Sequence, residues 1–117
     1  MPLKVRKNQS PVPSCPLSQC MSIIGGAWTA NIIWHLGAGP RRFNELRYDL
    51  TGISAKVLTT RLRELTSRGV IHREVKPTSP PSVEYSLTEE GKDLMPAIEA
   101  IARVGEKLKK TGSCSSN

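Results

Sequence analysis

The stretch "GISAKVLTTRLRELTSRGV", Gly52 to Val70, carries signals for both ends of one helix, and nothing else in the chain constrains the fold as much. Ser54 is a favourable N-cap, because its hydroxyl can accept from an amide of the first turn that has no partner within the helix. Ile53 and Leu58 stand at the N′ and N4 positions of a hydrophobic staple. At the other end Gly69 can supply the left-handed C′ residue, with Leu65 and Val70 spaced for a Schellman contact. These signals predict a helix over Ala55 to Arg68. At about 100° per residue, Leu58, Leu62 and Leu65 share one face, and Lys56, Thr60, Arg63 and Ser67 share the opposite one with Thr59 at its flank. The outward face is cationic and hydroxylated.

The preceding "RFNELRYDL" predicts a helix with Phe43, Leu46 and Leu50 on its apolar side, and "TG" turns the chain after it. Two helices joined by a tight glycine turn, the second presenting Lys, Thr and Arg outward, form a helix-turn-helix arrangement. Those side chains suit a DNA major groove: Arg and Lys donate to guanine O6 and N7, and Thr bonds a base edge or lays its methyl on thymine. Ser54, Lys56, Thr59, Thr60 and Arg63 are therefore the candidate groove contacts. Arg41 and Arg42, near the start of the preceding helix, are candidate phosphate contacts.

After Gly69 the apolar pattern switches to period two, Ile71, Arg73 and Val75, then Val83, Tyr85 and Leu87. An antiparallel hairpin follows, its connection stiffened by Pro77, Pro80 and Pro81, which are expected to hold it extended. A projecting loop with no core of its own loses less entropy on docking when proline restricts it. This is a wing, and Lys76 at its base is a third candidate phosphate contact.

Upstream, residues 1–14 read as a flexible basic arm carrying Lys4, Arg6 and Lys7. "CPLSQCMSIIGG" predicts a short amphipathic helix opened by Pro16, with Leu17, Cys20, Met21 and Ile24 as its stripe. A second helix runs from Ala27 or Trp28 to Leu36, its stripe Trp28, Ile32 and Leu36. Downstream, Thr88 caps a last helix whose first turn carries Glu89 and Glu90, and Pro96 either kinks or restarts it. Leu94, Ala97, Ile98, Ile101, Val104 and Leu108 make a stripe longer than so small a core can cover. It implies a homodimer in which Leu17 and Met21 of the first helix and Leu94, Ile98, Ile101, Val104 and Leu108 of the last pack across a twofold axis. Residues 15–110 then form one domain, and 111–117 a disordered polar tail.

The chain has 117 residues, which allows one modest core and no second catalytic domain. Its formal charge of +7 favours a polyanionic partner. Neither a signal peptide nor a run of membrane length is legible, and Cys15, Cys20 and Cys114 match neither a disulfide framework nor a zinc site, so a cytoplasmic protein without cofactor or metal is expected. His35 and His72 stand alone, and "IIGG" lacks the strand and spacing of a nucleotide-binding fingerprint, which argues against an enzyme. The alternative function is a winged-helix module that binds protein or RNA without operator specificity.

The Cys15–Pro16 start, "GGAWT", "GPRRFNELR", "GISAKVLTTRLREL" and "PPSVEYSLTEEG" together resemble the HxlR family of bacterial winged helix-turn-helix transcription regulators, a branch related to the MarR-like regulators. The likeness runs from Cys15 to about Lys107. It implies an α+β, mostly α winged helix-turn-helix flanked by N- and C-terminal dimerisation helices, and a dimer on double-stranded DNA with a pseudo-palindromic operator. It places the helix from Ser54 to Arg68 in the major groove and the loop from Pro77 to Ser82 near the minor groove. Many relatives sense small electrophiles or oxidants through the cysteine matching Cys15, and Cys114 could meet the partner subunit's Cys15. Ala27, Ala55 and Ser82 depart from the lysine, proline and arginine usual at those positions.

Overall fold

The computed structural model describes residues 15–110, so the basic arm, the tail and Cys114 lie outside the described residues. Helices α1 (Pro16–Ile24) and α2 (Thr29–Leu36) are followed by strand β1 (Arg41–Arg42) and helices α3 (Phe43–Asp49) and α4 (Ala55–Ser67). The hairpin β2 (Ile71–Lys76) and β3 (Ser82–Leu87) leads into α5 (Glu89–Asp93) and α6 (Met95–Lys110).

The local signals of α4 act as its sequence implies. The Ser54 hydroxyl accepts from the Val57 amide at 3.1 Å. At the C-terminus Val70 N donates to Leu65 O at 2.9 Å and Gly69 N to Thr66 O at 3.1 Å, the paired bonds of a Schellman motif. Gly69 has φ +79° there, a conformation that strains any residue with a Cβ. Thr88 fixes the hairpin against this end, its amide donating to Val70 O at 3.0 Å, while its hydroxyl accepts from Gly91 N at 3.1 Å as the cap of α5. Gly91 is obligatory for close packing, since a Cβ at that position would overlap the Val70 carbonyl.

The core is one cluster drawn from every layer: Ile32, Ile33 and Leu36 of α2, Leu46 of α3, Leu58, Leu62 and Leu65 of α4, and Ile71 of β2. Trp28 enters α2 with φ 71°, an unusual backbone for a bulky residue, and its side chain packs against this cluster. Leu94 and Ile98, expected in the stripe that packs across a twofold axis, are buried at 9% and 5% exposure in the core of the protomer itself. The reason is geometric: α5 ends at Asp93 with Leu94 as its C-cap, and Pro96 sits in the opening turn of α6, so the chain restarts there and the first turn folds back on α2.

The sheet has a third strand that no periodicity announced. β1 pairs antiparallel with β3, Arg41 opposite Tyr85 and Arg42 opposite Glu84, giving the order β1-β3-β2. The hairpin register is Ile71 opposite Leu87, Arg73 opposite Tyr85 and Val75 opposite Val83. Its loop is not simply extended: Thr78 N donates to Lys76 O at 2.8 Å, and the Thr78 hydroxyl donates to Pro80 O at 2.7 Å, so the loop closes on itself.

Candidate nucleic-acid interface

α4 turns its leucines into the core and leaves Lys56, Thr60, Arg63 and Ser67 exposed, with Thr59 half-buried beside them. Two arginines of the same helix face elsewhere. Arg61 Nε donates to Ala27 O at 2.9 Å and its NH1 pairs with Glu64 at 3.1 Å, and Arg68 reaches Ser22 of α1. Arg63 and Lys56 form no ion pair among the described residues. The hydroxyl of Thr60 donates to the Lys56 carbonyl at 3.0 Å, so it offers its methyl and an acceptor lone pair outward, and no free proton.

The candidate phosphate contacts are not gathered in one place. Arg41 and Arg42 are neighbours on a strand and so point to opposite faces of the sheet. Arg41 Nε lies 3.5 Å from Asp49 Oδ2, an oxygen that is buried and has no hydrogen-bond partner; His35 Nδ1 is 4.0 Å from the same oxygen. Arg42 is exposed, while its backbone amide donates to Glu45 Oε1 at 2.9 Å and starts α3. Lys76 Nζ sits between Glu74 at 3.4 Å and Glu84 at 3.6 Å, on the face of the hairpin opposite Tyr85. A cation held by two carboxylates is a weaker phosphate ligand than its charge suggests.

Arg73, which the sequence shows only as one beat of a strand pattern, stands on the other face, across a cleft from Thr59 and Arg63. The signal that could have found it is its spacing of two from the buried Ile71, which turns it toward α4.

Cys15 occupies the N-cap position of α1 and is half-buried. Hydrogen bonding by the Ser18 side chain, then by the Ser18 amide and less by the Leu17 amide, holds the thiol below the ordinary cysteine value. Cys20 is exposed rather than sheltered within the monomer. No cluster of three metal-ligating side chains occurs among the described residues, and no helix there is long and apolar enough to cross a membrane.

The helix pair α3 and α4, the second with a polar cationic face, and the hairpin beside them define a winged helix-turn-helix transcriptional regulator of the DNA-binding kind. The sequence profile described as "HxlR-like helix-turn-helix" matches residues 23–113, and the chain belongs to that family. It is 48% identical over 95 residues to YdeP of Bacillus subtilis strain 168, an uncharacterised HTH-type transcriptional regulator, covering 81% of this chain and 74% of YdeP. Among solved structures, the redox regulator HypR in its oxidised form superposes with TM-score 0.76 at 42% identity, covering 80% of this chain and 96% of HypR. A MarR-family structure from Porphyromonas gingivalis W83 gives TM-score 0.78 at 37% identity, with coverages of 84% and 96%. These relatives are named as transcriptional regulators.

Proposed function

We propose that the protein is a homodimeric, sequence-specific regulator that places α4 in the major groove of a pseudo-palindromic operator. The observation that carries this reading is the unpaired, acid-free ridge of Lys56, Thr60 and Arg63 on a helix capped at both ends. Arg63 is suited to guanine and Thr60 to a thymine methyl or an amino donor, with Lys56, Thr59 and Ser54 at the entering end. Arg42 contributes phosphate contacts on its side of the sheet, and Arg41 and Lys76 contribute less because carboxylates hold them.

The dimer is supported by apolar side chains left in water: Leu17 at 69% and Met21 at 48% exposure on α1, and Ile101, Val104 and Leu108 at 57%, 55% and 45% on α6. Such a set on two terminal helices is more than a small monomer ordinarily exposes. Control by thiol modification at Cys15 is supported by its lowered pKa and by the likeness to the redox regulator HypR. A small electrophile or oxidant is then the effector, and a change in dimer contacts alters operator affinity without touching the DNA face.

Selection of bound duplexes from a random pool, followed by footprinting, tests the reading. A preferred site with twofold symmetry and half-sites about one helical turn apart, roughly 34 to 36 Å, is expected. Titrating diamide against that complex, with wild type and Cys15→Ser compared, tests the switch; identical responses remove Cys15 from it.

A further inference from the structure

A cleft of about 480 Å³ separates α4 from the hairpin. Thr59, Arg63 and Ser67 line it from the helix, and Arg73 and Tyr85 from the strands. Ile71, two residues before Arg73 on the same face, is buried at 2%, so the face that begins as core ends as the wall of this cleft. Arg73 and Tyr85 are direct cross-strand partners, which puts their side chains on the same face of the sheet.

No carboxylate lines the cleft, and neither Arg63 nor Arg73 forms an ion pair among the described residues. Two cations lining the same cleft repel, and its lining supplies no counterion for them. This contrasts with Arg41 and Lys76 of the same sheet, each of which has an acidic neighbour, while exposed Arg42 forms no ion pair among the described residues but does not line the cleft. The hydroxyls at the rim, Thr59, Ser67 and Tyr85, are neutral donors. Thr66 is not among them, its proton being donated to the Leu62 carbonyl at 2.7 Å. Planar guanidinium forks flanked by hydroxyls fit the two free oxygens of a phosphodiester.

Resting on the reading that α4 docks in the major groove, we infer that this cleft is a phosphate clamp for the DNA strand bordering that groove. Arg73 is its principal ligand, and Tyr85 its hydroxyl donor. A helix lying in a groove has a sugar-phosphate strand along each flank, and on the hairpin side the cleft is where that strand passes. Arg73 anchors without reading sequence, so α4 is held at a fixed depth beside the wing.

The test uses the full-length dimer, the duplex recovered by selection, and a scrambled duplex of equal length. Arg73→Gln is expected to weaken both duplexes by the same factor and to lower the salt slope by about 1.8 per dimer, at roughly 0.9 per lost phosphate contact. Between 50 and 200 mM salt, the affinity loss then shrinks about twelvefold relative to wild type. Arg73→Lys is expected to keep the slope, and Tyr85→Phe to weaken binding without changing it. Thermal melts of each variant separate misfolding from lost contact, and Arg73→Lys carries the test if the glutamine variant is unfolded. In that case, a lysine variant that loses the slope overturns the clamp.

An unchanged slope in Arg73→Gln, or a loss confined to the selected duplex, also overturns it. A wild type without sequence preference instead removes the proposed function, whatever Arg73 does. Inorganic phosphate titrated into the free protein at constant ionic strength distinguishes the source of the ligand. Saturable binding below millimolar concentration that Arg73→Gln abolishes would assign the cleft to a free anion and overturn its assignment to DNA.

Discussion

Arg68, at the C-cap of the recognition helix, donates to Ser22 of α1 twice, NH1 to the carbonyl at 2.6 Å and NH2 to the hydroxyl at 2.8 Å. Seven residues earlier, two turns back on the same face, Arg61 holds the Ala27 carbonyl at 2.9 Å. The helix proposed to present its cationic ridge to DNA is thus tied on its other flank to the segment carrying Cys15. Both ties are solvent-facing, so the expected cost of Arg68→Ala is modest, about 0.5 to 1.5 kcal/mol in urea unfolding. Ser22→Ala keeps the carbonyl acceptor but removes the hydroxyl, which accepts from Arg68 and donates to Gln19 O at 2.7 Å, and should cost less. A double-mutant cycle with no coupling between the two positions would show that the contact contributes nothing in solution.

The caps of α4 give a second expectation. Ser54→Ala removes the acceptor for Val57 N and should cost about 1 kcal/mol, which for a domain of this size is a fall of roughly 4 to 8 °C in Tm. Gly69→Ala should cost about 1 to 2 kcal/mol, for a different reason. Nothing lies within 4 Å of the added Cβ, so the loss comes from the left-handed backbone alone. Calorimetry on both variants checks this, and a Gly69→Ala protein as stable as wild type would contradict the φ of +79°.

How much of this was legible before the structure depends on whether the signal was local. The caps and the staple of α4 involve residues within one or two turns, and so does the Thr88 cap of α5; each was readable as sequence. β1 was not, because two residues carry no period, and only the pairing of Arg41 with Tyr85 makes them a strand. The acidic neighbours of Lys76 were hidden for the same reason: Glu84 meets it only through the hairpin register. Arg73 was visible as alternation, but its position beside Arg63 depends on how the sheet packs against α4.

On the recognition face, Arg63→Ala and Thr60→Ala should each lose about 1 to 3 kcal/mol on the preferred duplex and relax base choice at one position. Thr60 donates to its own helix, so Thr60→Val, which retains the methyl, should retain more affinity than Thr60→Ala if thymine is the target. Equal losses on every duplex would make these residues phosphate anchors instead.

The thiol of Cys15 should titrate below an ordinary cysteine, because hydrogen bonds from Ser18 favour the thiolate. The sign is fixed: lowering the pKa raises the thiolate fraction at neutral pH and with it the alkylation rate. In a Cys20→Ser, Cys114→Ser background, the pH midpoint of iodoacetamide reactivity is expected below that of glutathione, and Ser18→Ala should move it upward. A midpoint that does not respond to Ser18→Ala would mean that the hydroxyl does not face the sulfur in solution.

The apolar stripe of the C-terminal segment separates into a buried part and an exposed part, and nearby positions test the division. Ile98 is 5% exposed and packed in the monomer core, whereas Ile101, less than one turn later, is 57% exposed. Removing buried methyl groups leaves a cavity as well as losing transfer energy, so Ile98→Ala should cost about 2 to 5 kcal/mol of stability. Ile101→Ala touches no core and should leave the unfolding of a protomer almost unchanged. If α6 packs across a twofold axis, Ile101→Glu with Val104→Glu should convert the dimer to monomer, because a charge buried without a partner is costly. Light scattering after gel filtration measures the mass, and urea unfolding of the same samples measures the fold. A double glutamate variant that remains dimeric with native stability would exclude this face from the interface, and the exposed Leu17 and Met21 of α1 would then have to supply the contact.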